Sequence, residues 1–164
     1  MFSYLIIPLL AFVTATVGGF FTNVGLDSWY LALPKPAWTP PGGVIGSVWT
    51  VLYILATISA LIVWNNIRRV SAHAERTKKR DARFWWIIAV FVLNAFLNAF
   101  WSYVFFYRHW LGAAIIEAAA LGLSVVVLMV LIWPRSKTAS LLLLPYALWV
   151  GFATYLTYSV WILN

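Results

Sequence analysis

The segment Trp29-Tyr30-Leu31-Ala32-Leu33-Pro34-Lys35-Pro36-Ala37-Trp38-Thr39-Pro40-Pro41 separates two long apolar runs and determines how the chain is divided. Four of the seven prolines and two of the eleven tryptophans lie within it. Proline fixes φ, lacks an N–H donor and favours extended geometry in the residue before it, so residues 33–36 and 39–41 cannot be helix interior. We therefore predict a stiff, non-helical loop over residues 25–43, which forms a lid at one end of the molecule.

The composition on either side of this loop excludes a soluble globular domain. The chain is 64% hydrophobic and 9% charged, with a mean hydropathy of +0.91. Continuous apolar runs predict membrane helices rather than the alternating strands of a β-barrel. We predict an all-α integral membrane protein, in which residues 1–164 form a single five-transmembrane-helix bundle and the first run is a retained helix. The predicted spans are residues 3–24, 44–66, 84–107, 111–133 and 139–163.

The basic residues are distributed unequally between the two ends of the predicted bundle. The connection over residues 67–83 holds seven basic and two acidic residues, and Arg135 and Lys137 belong to the same side. Only Lys35 and Arg108 belong to the other side. Because basic residues concentrate in cytoplasmic loops, we expect the N-terminus and this basic loop to be cytoplasmic, and the lid and C-terminus to lie outside. A nucleic-acid or lipid-specific patch is the weaker interpretation of this loop.

A few polar side chains lie inside the predicted spans, where each needs a partner or a function. Asn94 and Asn98 are one helical turn apart and could either join helices or line a ligand cavity. Glu117 could equally be a functional or a structural carboxyl group. The chain has no cysteine, and His73 and His109 are isolated in sequence, so we expect no metal site and no cysteine nucleophile.

The aromatic residues suggest a second feature inside the bundle. Many of the eleven tryptophans lie near span ends, as expected at the bilayer interface, but Trp49 and Trp149 lie deeper. A pocket lined by such rings would suit a flat, polycyclic aromatic ligand, and the alternative is an aromatic-rich core. The further candidates for this lining are Tyr30, Trp38, Tyr53, Trp101, Phe105 and Tyr146.

Two stripes of small residues and one proline predict details of helix packing. Ala114, Ala118 and Gly122 form one stripe, and Ala95 and Ala99 form another; either could pack helices within the bundle or join two copies in a homodimer. Pro145 predicts a kink in the fifth span, near the fourth residue before it.

Taken in order and spacing, these residues resemble the TspO/MBR family of tryptophan-rich sensory proteins, which includes the mitochondrial translocator protein. The resemblance covers the whole chain. Its motifs are Trp29-Tyr30-x-x-Leu33-x-Lys35-Pro36-x-Trp38-x-Pro40-Pro41, Trp49 with Tyr53, Asn98-x-x-Trp101 with Phe105-Phe106, Glu117, and Pro145-Tyr146-x-x-Trp149. One departure is that no basic residue follows Tyr155 or Tyr158, so the cholesterol-recognition pattern of animal members is incomplete.

The resemblance implies a dimeric five-helix bundle, in a bacterial plasma membrane, whose cavity opens toward the first loop. It implies binding of porphyrins such as protoporphyrin IX, and of synthetic isoquinoline-carboxamide or benzodiazepine-like ligands, without a required cofactor or a nucleic-acid partner. It places Tyr30, Asn98 and aromatic residues of the fifth span around the ligand. Light-dependent porphyrin degradation in some bacterial members depends on two tryptophans that correspond to Trp49 and Trp149.

Our leading hypothesis is therefore a porphyrin-binding membrane sensor that reports the tetrapyrrole load or removes it. The predicted ligand-binding residues are Tyr30, Trp38, Trp49, Tyr53, Asn94, Asn98, Trp101, Phe105, Glu117, Tyr146 and Trp149. A transporter or carrier of tetrapyrroles or lipids is the alternative from another functional class, and a scaffold with an incidental cavity is the third.

Overall fold

The computed structural model describes residues 3–73 and 82–164, and it is helical over most of this length. Residues 74–81 of the predicted basic loop lie outside the described residues. The helices are α1 (Ser3–Gly25), α2 (Gly42–His73), α3 (Ala82–Ser102), α4 (Leu111–Ile132), the short α5 (Lys137–Leu141) and α6 (Leu144–Leu163).

Five of the described segments are long and apolar enough to cross a bilayer, which confirms the predicted fold class. Large apolar side chains such as Leu5, Phe12 and Ile116 are more than 65% exposed, as expected for a protein whose outer surface contacts lipid. The chain is thus an integral membrane protein of the all-α class. The five segments are Tyr4–Gly25, Gly42–Asn66, Arg83–Tyr107, Leu111–Ile132 and Lys137–Leu163.

The lid loop is shorter than the sequence predicted. Helix α1 continues through a π-helical segment, Leu26–Tyr30, and the helical backbone ends only after residue 32, shortly before the first proline of the loop. A second π-helical segment, Tyr103–Tyr107, extends α3. The two segments meet where a Cβ atom on Gly25 would collide with the carbonyl group of Phe106, so glycine permits this close approach. Trp29 and Tyr30 are therefore held on a helical extension.

The fifth span is broken ahead of its proline, at the place where a kink was predicted. Helix α5 ends at Leu141, and α6 begins at Leu144 with Pro145 in its first turn, where the missing N–H is tolerated. Two serine hydroxyl groups hold α5 against its neighbours. Ser59 Oγ on α2 donates to the Ala139 carbonyl oxygen at 2.7 Å, and Ser140 Oγ donates to the Met129 carbonyl oxygen on α4 at 2.9 Å.

Both small-residue stripes face inward in this fold. Ala114 and Ala118 are 0% and 2% exposed, and a Cβ atom on Gly122 would lie 3.3 Å from the Val150 side chain, so this stripe packs α4 on α6. The second stripe also has an intrachain neighbour, because a Cβ atom on Gly18 of α1 would approach the Ala99 Cα atom at 3.9 Å. A homodimer stays a prediction.

Candidate functional site

A cavity of about 450 Å³ lies beneath the lid, within the size range of small-molecule sites. We call it the aromatic cavity. Its walls come from α1, the first π-helical segment, α2, α3, the second π-helical segment, α4 and α6. Seven of the eleven predicted ligand-binding residues line it: Tyr30, Trp49, Tyr53, Asn98, Trp101, Phe105 and Trp149.

Stacked and edge-on rings build one wall of the aromatic cavity. The Trp101 and Phe105 rings are nearly parallel, with an interplanar angle of 13° and centroids 4.9 Å apart. The Tyr30 ring contacts the edge region of Phe105, at 6.0 Å, from the lid side. Such rings present flat π faces, and the wall is therefore suited to a planar ligand.

Two indole groups on the cavity wall carry unused hydrogen-bond donors. The Nε1 atoms of Trp101 and Trp149 are enclosed and have no acceptor among the described residues. A buried donor without a partner costs free energy, and a ligand with an acceptor oxygen could remove this cost. Trp149 also contacts Phe152, at a centroid distance of 5.2 Å, which adds a further ring to the α6 side.

A chain of buried hydrogen bonds crosses the bundle beside the aromatic cavity. The Tyr53 hydroxyl group on α2 donates to Asn98 Oδ1, and Asn98 Nδ2 donates to the Tyr146 hydroxyl oxygen at 2.8 Å. The Tyr146 hydroxyl group donates to Asn94 Oδ1 at 3.2 Å, and Asn94 Nδ2 donates to Ser124 Oγ at 2.8 Å. Both asparagines join helices, and of the two only Asn98 also lines the aromatic cavity.

A second cavity, of about 280 Å³, lies on the other side of Tyr53 and Asn98. We call it the apolar cavity because most of its lining is aliphatic or aromatic. Two predicted ligand-binding residues, Asn94 and Tyr146, line this cavity instead of the aromatic one. Its lining is Ile6, Ile7, Leu10, Ala11, Thr14, Tyr53, Ala56, Thr57, Ala60, Val63, Trp64, Phe84, Ile87, Ile88, Phe91, Val92, Asn94, Ala95, Asn98 and Tyr146.

Lys35 stabilises the start of the proline-rich part of the lid through hydrogen bonds to backbone carbonyl groups. Its Nζ atom donates to the carbonyl oxygens of Tyr30, at 2.6 Å, and Leu33, at 3.0 Å, and it lies 4.7 Å from the Tyr30 ring centroid. Tyr30 lies outside the membrane-spanning segments, and burial raises the pKa of its phenol above the ordinary value. A neutral Tyr30 therefore faces the aromatic cavity at physiological pH.

Trp38 attaches the lid to α6 and does not line the aromatic cavity. Its ring is stacked on Tyr155, with centroids 5.4 Å apart and an interplanar angle of 9°, and it meets the edge of Phe152 at 5.9 Å. Asn164 adds a polar attachment, because its Nδ2 atom donates to the Pro34 carbonyl oxygen at 3.1 Å. Trp38 therefore contacts Phe152, which is part of the cavity wall, but does not itself line the cavity.

His109 is a lid contact that sequence reasoning missed. Its ring is stacked on Trp29, with centroids 4.0 Å apart, and its φ of 58° lies in the left-handed region. From the sequence, His109 was assessed only as a candidate for metal binding or catalysis. No local motif indicates that it stacks on a residue eighty positions away in the chain. Phe152 and Gly46 are also part of the cavity wall and were not predicted.

Glu117 lies on α4 but outside both cavity walls. It is 8% exposed, and neither carboxylate oxygen has a hydrogen-bond partner within the described ranges. In the same ranges, no group of three or more histidine or acidic side chains could hold a metal ion. The structure therefore gives Glu117 no contact with a ligand in either cavity, and its place among the binding residues stays a prediction.

Comparisons with known proteins find a matching family and relatives over most of the chain. The model of the TspO/MBR family matches residues 6–162. The tryptophan-rich protein TspO of Archaeoglobus fulgidus is 35% identical, over 97% of this chain and 98% of its own length. The protein of the same name from Bacillus cereus is 35% identical over 84% of this chain and 81% of its own length. The human translocator protein is 28% identical over 94% of this chain and 89% of its own length.

Proposed function

Because this chain belongs to the TspO/MBR family, we propose that it is a membrane receptor that binds a porphyrin, such as protoporphyrin IX, in the aromatic cavity. The observation that carries this proposal is a cavity of about 450 Å³ with aromatic walls under an attached lid. A porphyrin offers flat π faces for stacking and carboxylate oxygens for donors. The unpaired indole groups of Trp101 and Trp149 supply such donors.

A titration of protoporphyrin IX against the protein in lipid nanodiscs tests binding. Ala153 lines the aromatic cavity, and Ala153→Phe fills part of it. We expect saturable binding to the wild type and at least a tenfold weaker affinity for this variant. Ala60→Phe, in the wall of the apolar cavity, is the matched control and should bind as the wild type does. Equal affinities of all three proteins would show that the aromatic cavity is not the porphyrin site.

Light-dependent degradation of the bound porphyrin is the second part of the proposal. The porphyrin would absorb the light, and Trp49 and Trp149 would donate an electron to it or react with oxygen species formed from dioxygen. Both residues line the cavity, from α2 and α6 respectively. The protein's contribution is to orient the macrocycle and exclude competing reactions. Isoquinoline-carboxamide and benzodiazepine-like compounds, which also combine flat rings with a carbonyl acceptor, should compete for the same space.

Replacing both tryptophans by phenylalanine tests this chemistry separately from binding. We expect the double variant Trp49→Phe/Trp149→Phe to bind protoporphyrin IX more weakly, because one indole donor is lost. At a porphyrin concentration that saturates the variant, we expect it to lose most of the light-driven decrease of the Soret band. A sample kept in the dark is the control for spontaneous loss. Unchanged bleaching in the double variant would remove both residues from the chemistry while leaving the binding proposal intact.

A carrier of tetrapyrroles or lipids is the second candidate, and the pair of cavities favours it. The two cavities share Tyr53 and Asn98, so displacement of this pair would connect them into a longer path. Porphyrin that equilibrates across vesicles faster with the protein than without it would support a carrier. If the rates are equal, a receptor is the better description.

We also propose a bacterial plasma membrane location with the lid outside and the basic loop in the cytoplasm. The chain has no cysteine, so single cysteines can report each side. Ala37→Cys, in the lid, and Thr138→Cys, at the start of α5, replace exposed residues. We expect a membrane-impermeant maleimide to label residue 37 in intact cells and residue 138 only after lysis. The reverse pattern would invert the topology.

A further inference from the structure

The apolar cavity is as tall as one leaflet of a bilayer. Along α2, its wall runs from Tyr53 to Trp64. At the helical rise of 1.5 Å per residue, this distance is roughly 16 Å. The hydrocarbon core of a bilayer is about 30 Å thick, so half of it, about 15 Å, is the depth of one leaflet. The cavity therefore occupies the leaflet on the side of the basic loop.

The wall of this cavity includes side chains that also face the bilayer. Ile6 and Leu10 on α1 and Val92 on α3 line it and are 52%, 51% and 56% exposed. Small side chains, including Ala60 on α2, keep the interior open. A ligand can therefore enter sideways from the membrane. The hydroxyl groups within the wall offer it few donors, because Thr57 already donates to a backbone carbonyl of its own helix.

The end of the cavity near the basic loop has a different chemistry. The Trp64 Nε1 atom is enclosed and has no acceptor among the described residues, although Trp64 is part of the cavity wall. Trp64 lies near the end of its span, at the depth where tryptophan meets the headgroup and ester region. Two arginines, Arg68 and Arg69, follow on α2 within about one and a half turns, and Arg83 precedes Phe84, which also lines the cavity.

We propose that the apolar cavity is a binding site for an anionic phospholipid of the leaflet next to the basic loop. One acyl chain occupies the cavity, and an ester or phosphate oxygen accepts a hydrogen bond from the Trp64 indole. The negatively charged headgroup lies at the level of the α2 turn that follows Trp64, where the sequence has Arg68 and Arg69. This site is distinct from the aromatic cavity and does not depend on porphyrin binding.

Headgroup charge, rather than chain burial, gives this site its selectivity. An acyl chain leaves one apolar environment for another when it enters the cavity, so no hydrophobic gain favours one lipid over another. Attraction of an anionic headgroup to arginines near the membrane surface does discriminate, by about fivefold for each basic residue. A zwitterionic lipid with identical chains fits the same cavity without this attraction.

Native mass spectrometry of the full chain, released from detergent with equal amounts of phosphatidylglycerol and phosphatidylcholine of identical chains, tests the proposal. We expect the wild type to retain phosphatidylglycerol at least tenfold over phosphatidylcholine. Ala60→Phe should lose the retained lipid, and Ala153→Phe, in the aromatic cavity, should keep it. The double variant Arg68→Gln/Arg69→Gln should retain lipid without preference.

Three results would overturn the proposal. Equal retention of the two lipids by the wild type would mean a neutral lipid or no specific occupant. Unchanged phosphatidylglycerol retention in Ala60→Phe would mean a surface charge effect without the cavity. Loss of lipid in Ala153→Phe would place the lipid in the aromatic cavity. Ala95→Leu, on the α3 wall, is a milder filling variant, and the melting temperature of each variant shows whether it is folded.

Discussion

The two cavities are formed largely by the same helices, yet they differ in chemistry. Both have walls from α1, α2 and α3, and both include Tyr53 and Asn98. The aromatic cavity lies under the lid and has on its wall two indole donors without an acceptor among the described residues. The apolar cavity has lipid-facing side chains in its wall and one such donor, at Trp64. The comparison shows that a single hydrogen-bonded pair can divide one bundle interior into two cavities with different linings.

Of the substitutions in the residues that separate the cavities, Asn98→Leu is expected to reduce stability most. The substitution removes the acceptor of the Tyr53 hydroxyl group and one of the two hydrogen bonds of the Tyr146 hydroxyl group, which still donates to Asn94. A buried polar group that loses its partner costs about 1–3 kcal/mol. We expect the free energy of unfolding to fall by about that amount, measured by thermal or denaturant unfolding in detergent.

Asn65→Leu is the control for Asn98→Leu. The hydrogen bond that Asn65 accepts from Tyr4 is exposed, so its loss should change stability by about 0.5 kcal/mol or less. If both substitutions have the same effect, the buried hydrogen bonds of Asn98 contribute no more to stability than the exposed one of Asn65.

Trp38→Ala is expected to act on the aromatic cavity alone. It removes the stack on Tyr155, and an aromatic pair of this kind contributes about 0.5–1.5 kcal/mol. We expect bound protoporphyrin IX to dissociate about two- to tenfold faster in stopped-flow experiments, while lipid retention is unchanged. Trp110→Ala, an exposed tryptophan at the same end, is the control; equal acceleration by both would argue against a specific lid contact.

Tyr53→Phe should have a smaller effect, because it removes only one hydroxyl group from the dividing pair. Interhelical hydrogen bonds in membrane proteins contribute about 0.6 kcal/mol on average, so we expect a loss of stability of that order. Tyr158→Phe, at an exposed position on α6, should cause none. A loss of stability above about 2 kcal/mol would mean that the Tyr53 hydroxyl group contributes more than one ordinary interhelical hydrogen bond.

The smallest effect is expected for Glu117→Gln. The side chain has no hydrogen-bond partner within the described residues and lies outside both walls. The neutral amide has nearly the same shape, so we expect neither a loss of stability nor a change in porphyrin affinity in the nanodisc titration. A tenfold weaker affinity would restore Glu117 to the binding site that the sequence predicted for it.

Some cavity-lining residues could be predicted from the sequence because their helix and their depth within the span are enough to place them. Trp49, Tyr53 and Trp149 follow from aromatic side chains well inside their spans, and the structure places all three on the aromatic wall. The sequence could not separate Asn94 from Asn98, because both lie on one face of α3. Their different surroundings depend on the position of Tyr146 of α6 relative to α3. No local sequence pattern predicts that position.

The extent of the lid also depends partly on local sequence and partly on tertiary contacts. The prolines after Leu33 end the helix by local geometry, and the structure agrees there. Residues 25–32 carry no such signal, and they stay helical where Gly25 packs against Phe106. Trp38 was predicted to cover a ligand directly, but its position is set by Tyr155 on α6, more than a hundred residues away in the chain.

The sequence by itself therefore determined the membrane class, the five spans and the stiff proline-rich part of the lid, because hydrophobic length and proline geometry act locally. Only the tertiary structure decided where the aromatic and the apolar cavity lie, which aromatic residues line each one and where the lid is attached. Those features depend on the rotation and depth of each helix relative to its neighbours. They are set by packing among many side chains at once, which no single stretch of sequence encodes.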